Sequence, residues 1–399
     1  MTSVINSVPK LSNELNELRP TKNFNFNFKH FITLIRFYLI YAPTNVLKSL
    51  LTYYNRTSPS SKWSIFRYIR VGLARCYSTT SFQWSLRPSL SIEDRMKGVN
   101  NHITSDIDYK VALIKPSTND KVYSGECLVA GDKVKPTILP SFWIYKKDDG
   151  INYDNLKNEK VLLFIHGGGY ISEHPLSLPS GAYITRKFGI KTLAINYRLS
   201  DGINGHPAPL QDAISAYLYL TEELGISAKN IAITGDSAGG NSLNALLLHI
   251  IYLQKQGLNI QLPAFASFVS PWCDMTSTFP SITYNRTCDV LPPFSSQSEL
   301  VRSFLKYVPQ SISNEYNSPA LAHHDVFKPF SNINKVHIQV GEAEILRDEG
   351  IHYAHKLISA GVDVDFSLIE NEVHDALNIN PNASIAINDF LRAFNDYFL

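Results

Sequence analysis

Short apolar runs alternate with amphipathic segments along the last three quarters of the chain. The runs are short and rich in β-branched and aromatic residues, which indicates strands. The predicted strands span residues 109–114, 123–129, 138–145, 161–165, 191–197, 230–234, 264–270, 335–340 and 363–369. The amphipathic segments repeat apolar residues every three or four positions, which predicts helices. The predicted helices span residues 175–188, 208–224, 238–256, 298–307, 348–360 and 384–397.

The order of these elements predicts an α/β fold. The first three predicted strands follow one another without a helix between them, so we expect antiparallel strands at the start of the sheet. Strands and helices then alternate, which predicts a mostly parallel central sheet with helices on both faces. We expect this globular domain to span residues 101–399, with an insertion rich in Pro, Ser and Asn at about residues 277–333.

The N-terminal quarter differs from the rest in charge and in aromatic content. Residues 1–23 are polar, and we expect a disordered tail there. Residues 24–100 are rich in aromatic residues and basic, because the sequence between Pro20 and Ile92 has ten lysines and arginines and no acidic residue. Such a block favours contact with an anionic surface, above all that of a membrane.

Two apolar stretches in this region predict a membrane anchor. Residues 31–42 are interrupted only by Thr33 and Arg36, and a second stretch covers residues 46–54. A spanning helix needs roughly 20 mostly apolar residues, and an arginine near its centre costs a few kcal/mol. We therefore expect a short spanning or interfacial helix, and the alternative is a cap helix packed on the globular domain. Apolar residues at helical spacing over residues 63–77 predict a further helix that lies on lipid or covers a pocket.

The sequence gives little support to nucleotide, metal or disulfide chemistry. No Walker loop and no G-x-G-x-x-G after a strand are present, and we expect no cofactor, no metal and no nucleic-acid partner. Cys273 and Cys288 would pair only in an oxidising compartment, and unpaired core cysteines are the favoured interpretation. The chain has four cysteines, which are Cys76, Cys127, Cys273 and Cys288.

The stretch NIAITGDSAGGNSLNALLLHII, residues 230–251, predicts a nucleophile. It places a G-x-S-x-G motif, residues 235–239, between a predicted strand and a predicted helix. In this arrangement the serine sits on a strained turn, and the small glycines leave room for the crossing backbone. Ser237 is therefore the candidate nucleophile, and the positive end of the following helix would stabilise negative charge beside it.

A second motif supplies what an attacking serine needs. The stretch VLLFIHGGGYISEHP, residues 161–175, is a predicted strand followed by a histidine and three glycines. Attack on an ester carbonyl creates an oxyanion, which requires N–H donors aimed at it. The amide of Ala238 would supply one donor, and the glycine loop would supply the others, because glycines present amides without side chains in the way.

Together these motifs resemble the hormone-sensitive-lipase branch of the α/β-hydrolases. The segments that carry the resemblance are HGGGY (166–170), AINYRLS (194–200), HPAPLQDAISAYLYL (206–220), GDSAGGN (235–241), SPWCDMT (270–276) and LRDEG (346–350). The resemblance implies an α/β-hydrolase fold with a helical cap, built from the N-terminal region and the 277–333 insertion. It also implies a cofactor-free carboxylic ester hydrolase in which Gly168, Gly169 and Ala238 form the oxyanion hole, while His166 braces the loop.

The remaining catalytic residues are expected in the order nucleophile, acid, histidine. His374 follows the last predicted strand and is the candidate general base. For the acid, the stretch VGEAEILRDEG offers Glu342, Glu344, Asp348 and Glu349. The resemblance implies Glu344 at the place where the branch has an aspartate. Asp348 is interpreted as a helix cap or structural acid, and a glutamate suffices chemically because the acid orients the histidine.

A catalytic domain of this kind behind an N-terminal anchor resembles the fungal steryl acetyl hydrolases. This resemblance implies a serine esterase of the endoplasmic reticulum membrane that acts on a small lipophilic ester such as a sterol acetate. Three N-x-S/T sequons, at Asn55, Asn285 and Asn382, would suit a lumenal domain. An acyltransferase that uses the same acyl-enzyme, and a binding protein that has lost catalysis, are the alternatives. The sequence leaves the oligomeric state open.

Overall fold

The computed structural model describes residues 28–56, 60–84, 106–200, 203–380 and 382–399. The predicted tail (residues 1–23) and the predicted start of the globular domain at residue 101 lie outside the described residues.

Within the described residues, eight strands form one sheet. They are β1 (Ile107–Ile114), β2 (Leu139–Lys146), β3 (Val161–Ile165), β4 (Lys191–Ile195), β5 (Ile231–Asp236), β6 (Phe265–Val269), β7 (Lys335–Gly341) and β8 (Val364–Ile369). Their order in the sheet is β1-β2-β4-β3-β5-β6-β7-β8. Strand β2 runs antiparallel to both of its neighbours, and the remaining pairs are parallel. The predicted mostly parallel sheet with antiparallel strands at its start is confirmed.

The described residues form eleven helices, and several of them pack on the two faces of the sheet. The helices are α1 (Phe28–Arg36), α2 (Ala42–Thr52), α3 (Ile65–Trp84), α4 (Ser180–Phe188), α5 (Ala208–Leu218), α6 (Ala238–Lys255), α7 (Ser281–Tyr284), α8 (Glu299–Phe304), α9 (Arg347–Ser359), α10 (Ala376–Ile379) and α11 (Ser384–Tyr397). Helices α5, α6 and α9 contribute to the largest apolar core, whereas α4 and α11 contribute to a second core. Strands β3 to β6 are buried along their whole length. Cover on both faces explains why these strands read as continuous apolar runs.

One predicted strand is wrong. Residues 123–129 belong to two 3-10 turns, Asp120–Tyr123 and Gly125–Leu128. The glycine that begins the second turn has φ of +59°, a left-handed conformation that breaks an extended chain. The carbonyl of Val122 accepts a hydrogen bond from His249 Nε2 at 2.8 Å. The apolar residues of this segment therefore cover α6 and do not extend the sheet.

The N-terminal helices form a separate layer. Helix α1, a π-helical turn (Phe37–Tyr41) and α2 follow one another and pack against α3. Among the described residues, no helix combines the length and the apolar character that a membrane span requires. The predicted helix over residues 63–77 is present as α3, but its apolar residues divide between two environments. Trp63, just before the helix, is buried, whereas Phe66 and Tyr77 are exposed.

Candidate active site

Ser237 occupies the sharp turn between β5 and α6. Its φ is +54° and its ψ is −118°, a strained conformation for a residue with a side chain. A Cβ added to Gly239 would lie 2.0 Å from the Ile165 carbonyl oxygen, and one added to Gly235 would lie 2.3 Å from the Gly239 carbonyl oxygen. The turn therefore exists only with glycine at both positions, which is the physical content of the G-x-S-x-G pattern.

The predicted nucleophile, base and acid lie together at the carboxyl end of the sheet. His374 Nε2 is 3.0 Å from Ser237 Oγ, and His374 Nδ1 is 3.3 Å from Glu344 Oε2. Glu344 follows β7 and His374 follows β8, and these two strands are neighbours in the sheet. All three side chains are buried, and that of Glu344 completely. The geometry is that of a serine–histidine–glutamate triad, although its catalytic roles stay predictions.

Electrostatics at this site suit a base that must hold a proton. Burial, the largest single effect, lowers the pKa of His374. The hydrogen bond and the charge of Glu344, together with the carboxyl groups of Asp289 and Asp236, oppose burial, and the net result is a raised pKa. The imidazolium that forms when Ser237 loses its proton is therefore stabilised where it forms.

The other acidic residues of the same stretch have partners elsewhere. Their contacts are Asn371 N with Glu342 Oε2 (2.8 Å), Arg347 Nε with Asp348 Oδ1 (2.8 Å), and Cys273 N with Glu349 Oε1 (2.6 Å). Asp348 lies in the first turn of α9, as expected for a structural acid at a helix start. Of the four candidates, the structure brings Glu344 to the histidine.

The glycine loop lies beside the nucleophile. Gly168 has φ of +92° and Gly169 has φ of +61°, and a Cβ on Gly168 would lie 2.3 Å from the Ser172 carbonyl oxygen. Glycine adopts these left-handed conformations readily, whereas a side chain at either position would be strained. Ala238 is the first residue of α6, where backbone N–H groups lack partners within the helix. The oxyanion-hole role of these amides stays a prediction.

His166 is not part of the triad and contacts the glycine loop instead. Its ring stacks on Tyr197 at 4.2 Å between ring centroids, and its Nδ1 is 2.9 Å from the Gly167 carbonyl oxygen. The Tyr197 hydroxyl donates to the carbonyl oxygens of His166 and Gly167 at 2.9 and 3.0 Å. The stacked rings of His166 and Tyr197, and the hydrogen bonds of the Tyr197 hydroxyl, thus hold the glycine loop in place.

Two buried carboxyl groups that the sequence interpretation did not single out flank the triad. Asp236 precedes the nucleophile and Asp375 follows the base, and both are buried. Burial, and then the charge of Asp236, raises the pKa of Asp375, which favours its neutral form. Asn378 Nδ2 donates to Asp375 Oδ1 at 2.8 Å. Adjacency to the two catalytic positions is the one sequence signal that could have drawn attention to them.

The remaining predictions concern the cysteines, metal ligands and a cofactor. All four cysteines are free and buried, so Cys273 and Cys288 form no disulfide. Within the described part of the chain, one group of potential metal ligands is present, and it comprises His323, His324 and Asp325 on the surface. The expected lack of a cofactor stays a prediction.

Comparison with known proteins identifies the fold family. Residues 162–378 match the family described as "alpha/beta hydrolase fold". An ethyl acetate hydrolase of Pseudomonas putida is 28% identical over 55% of this chain and 66% of its own length. An acetyl-hydrolase of Streptomyces hygroscopicus is 26% identical over 52% of this chain and 64% of its own length. The chain thus spans slightly less than two thirds of these two curated relatives.

A solved structure resembles the fold over most of the chain. An esterase from the bacterial hormone-sensitive lipase family is 25% identical, covers 84% of this chain and 98% of its own, and superposes with a TM-score of 0.59. This likeness supports the branch inferred from the motifs. Because the family match covers more than half of the 399 residues, the chain belongs to the α/β-hydrolase fold family.

Proposed function

We propose that this protein is a serine carboxylic ester hydrolase. The observation that carries the proposal is the 3.0 Å contact between His374 Nε2 and Ser237 Oγ, with Glu344 behind the other ring nitrogen. A nucleophile within hydrogen-bond reach of a base that is itself oriented by a carboxylate is the arrangement used for acyl transfer. A non-catalytic binding protein has no need of this alignment, and it is therefore disfavoured.

The geometry supports a two-step reaction. Ser237 Oγ attacks the ester carbonyl carbon while His374 Nε2 accepts its proton, and the carbonyl electron pair moves onto the oxygen. Amides of Gly168, Gly169 and Ala238 stabilise this oxyanion. When the intermediate collapses, the alcohol leaves with the proton from His374, and an acyl-enzyme remains. Water then attacks the acyl-enzyme in the same way and releases the carboxylic acid and free Ser237.

For the substrate, we propose acetyl esters of lipophilic alcohols, sterol acetates among them. Of the two relatives described above, one is named an ethyl acetate hydrolase and the other an acetyl-hydrolase. Apolar residues of the 277–333 insertion border the glycine loop: a Cβ on Gly169 would meet Leu300 Cδ1 at 2.5 Å, and Phe304 stacks on Tyr170 at 3.9 Å between centroids. The glycine loop would lie beside the acyl group, and the apolar residues next to it would contact the alcohol. This arrangement suits a short acyl group on a bulky apolar alcohol.

A panel of esters tests this proposal. Purified protein is assayed with acetyl, butyryl and octanoyl esters of a sterol and of p-nitrophenol, beside the Ser237→Ala variant. We expect the highest kcat/KM for the acetyl esters, and none of this activity in the variant. A wild-type rate no higher than that of the variant on every ester would refute the hydrolase. If added alcohol accepts the acyl group faster than water does, the protein is instead an acyltransferase.

We further propose that the N-terminal layer lies on the surface of an anionic bilayer, with the endoplasmic reticulum as the membrane. Support comes from large apolar side chains that are exposed on α1, the π-helical turn, α2 and α3. They are Phe31, Ile35, Tyr38, Leu39, Ile40, Tyr41, Leu47, Leu50, Leu51, Phe66 and Tyr77, and Tyr54 is exposed in the 3-10 turn Tyr53–Asn55 that follows α2. Basic residues accompany them, and no acidic residue occurs between Pro20 and Ile92. Apolar and basic side chains on one helical layer are the combination that binds an anionic lipid surface.

A further inference from the structure

Three polar side chains of the 277–333 insertion recur every four residues and face the same way. They are Ser281, Asn285 and Asp289, which lie in α7 and the turns that follow it. Each is buried, with exposures of 0%, 2% and 0% of the residue surface. Buried polar groups in proteins are hydrogen-bonded, so their partners show what this row of side chains does.

The first two side chains hold the backbone around the triad acid. Ser281 Oγ donates to the Ile345 carbonyl oxygen at 2.7 Å and accepts from Asp348 N at 3.1 Å. Asn285 Nδ2 donates to the carbonyl oxygens of Glu342 and Glu344 at 3.0 and 2.9 Å. The loop that carries Glu344 is therefore fixed on both sides of that residue by contacts to the insertion.

Asp289 joins the loop that carries Glu344, the acid loop, to the loop that carries His374. Its Oδ2 accepts a hydrogen bond from Ile345 N at 2.8 Å, one residue after the triad acid. Its Oδ1 accepts from His374 N at 2.9 Å and from Val290 N at 2.7 Å. One carboxylate thus binds the backbone of both loops. Arg75 of α3 in turn donates to the Asp289 carbonyl oxygen at 2.7 Å.

We propose that Asp289 is a positioning residue that sets the distance between Glu344 and His374, an inference that rests on the proposed function. Two loops that follow different strands need a link if their side chains are to keep hydrogen-bond distance. Burial raises the pKa of Asp289 to about 6, so at pH 8 the group is ionised and accepts from all three amides. The long contact of 3.3 Å between His374 Nδ1 and Glu344 Oε2 leaves little tolerance for further separation.

The Asp289→Asn variant breaks this link with little change in volume. An amide has one acceptor oxygen, and its NH2 group would face a backbone N–H of one of the two loops. One loop is then released, and a displacement of about 1 Å can cost on the order of 10²-fold in rate. We therefore expect kcat to fall by roughly 10- to 100-fold with KM little changed. The milder Ser281→Ala, which removes one hydroxyl from the same row, is expected to lower kcat severalfold.

A matched control separates positioning from general destabilisation. Asp389 is a largely buried aspartate on α11 that accepts from Ser367 Oγ at 2.9 Å and Gln339 Nε2 at 2.8 Å, within another polar network. Asp389→Asn is expected to lower thermal stability and to keep wild-type kcat.

Turnover of p-nitrophenyl acetate at pH 8, active-serine labelling with a fluorophosphonate and thermal unfolding are measured for all variants. Support for the inference is a loss of kcat in folded Asp289→Asn and Ser281→Ala that Asp389→Asn does not show. Wild-type kcat in folded Asp289→Asn would overturn it, and if that variant does not fold, wild-type kcat in Ser281→Ala would do so. If wild-type protein neither turns over the ester nor reacts with the probe, the proposed function fails, and the role of Asp289 falls with it.

Discussion

At the scale of single residues, Ser237 is the proposed nucleophile, and its removal is the simplest prediction. Ser237→Ala should lower ester hydrolysis to below about a hundredth of the wild-type rate, because loss of a triad nucleophile costs several orders of magnitude. Ser215→Ala serves as the control, since Ser215 is also a buried serine and donates to the Gln211 carbonyl oxygen at 2.7 Å on α5. Equal losses in the two variants would contradict the assignment.

The identity of the triad acid leads to a second prediction. Glu344→Gln should lower kcat by roughly 10²–10⁴, by analogy with other triad carboxylates, whereas Asp348→Asn should have a milder effect. The same change should shift the pH profile. Because Glu344 raises the pKa of His374, and the protonated ring cannot accept a proton, kcat/KM falls as pH drops through that pKa. Without the charge of Glu344, this acid limb moves to lower pH.

Rate measurements across pH on both variants check this prediction. A stronger loss in folded Asp348→Asn than in folded Glu344→Gln would move the acid to Asp348. An acid limb that stays in place in Glu344→Gln would contradict the electrostatic part of the explanation.

The residues of the proposed triad could be predicted from sequence because two lie in or beside a local motif and His374 follows the last predicted strand. Ser237 lies between the two glycines of the G-x-S-x-G motif, and Glu344 is located by its position two residues before LRDEG (346–350). Asp289 has no such signal, because its partner His374 lies 85 residues away and the contact is to a backbone N–H. The role of Asn285 could not be predicted from the sequence either. It reads as a glycosylation sequon, but its side chain is buried and bonded to the acid loop.

At the scale of elements, α3 packs behind the triad. A small apolar cluster brings together side chains from the N-terminal layer, the insertion and the two triad loops, namely Trp63, Val71, Cys288, Ala343 and Val373. Trp63 Nε1 and Arg67 Nη2 each donate to the Asn371 carbonyl oxygen at 2.8 Å. Arg67 also pairs with both carboxylate oxygens of Glu372, at 3.2 and 2.9 Å. The loop that ends at His374 is thus held by the N-terminal layer.

A variant of Arg67 tests this contact. Arg67→Ala removes three charge-assisted hydrogen bonds from a half-buried position and should cost about 1–3 kcal/mol in the free energy of unfolding. Because the contact lies two residues before His374, kcat should fall severalfold as well. Arg67→Lys should lie between, since an ammonium cannot pair bidentately with Glu372. Thermal unfolding and steady-state kinetics measure both effects.

Lys62 provides the control for this experiment. Its ion pair with Glu370 at 3.3 Å is exposed on both sides, and such pairs contribute little. Lys62→Ala should therefore match wild type, and an Arg67→Ala that also matches wild type would show that α3 leaves the triad loops unaffected.

The pattern of apolar residues predicts some secondary-structure elements correctly and others wrongly. Strands β3 to β8 and the helices that follow them lie close to their predicted positions. Strands β3 to β7 are almost completely buried and leave clear apolar runs, whereas β8 is only partly buried. The segment 123–129 also contains apolar residues, but it packs on a helix through turns. Apolar runs report burial, and tertiary packing decides which backbone conformation provides it.

At the scale of the whole molecule, the exposed apolar layer predicts binding to lipid. Leu39 and Leu51 are 72% and 70% exposed. Replacing both with Asp should abolish sedimentation with vesicles that contain phosphatidylserine, because insertion would require burial of two carboxylates. Turnover of a soluble acetyl ester should be retained. High salt should release part of the wild-type protein, since it screens the basic side chains.

Two exposed apolar residues on the catalytic domain, Leu128 and Ile385, give a matched double-aspartate control. That control should sediment with vesicles as wild type does. Equal sedimentation of both double variants, or wild-type protein that stays in the supernatant, would show that the N-terminal layer is not a lipid-binding surface.

Covalent labelling tests the claim that Ser237 is an activated nucleophile. The protein is treated with a fluorophosphonate, digested and analysed by mass spectrometry, beside Ser237→Ala and His374→Ala. We expect one stoichiometric adduct on the peptide that contains Ser237, no adduct in Ser237→Ala, and a labelling rate reduced by orders of magnitude in His374→Ala. Folded wild-type protein that remains unlabelled, or that carries its adduct on another residue, would contradict the claim.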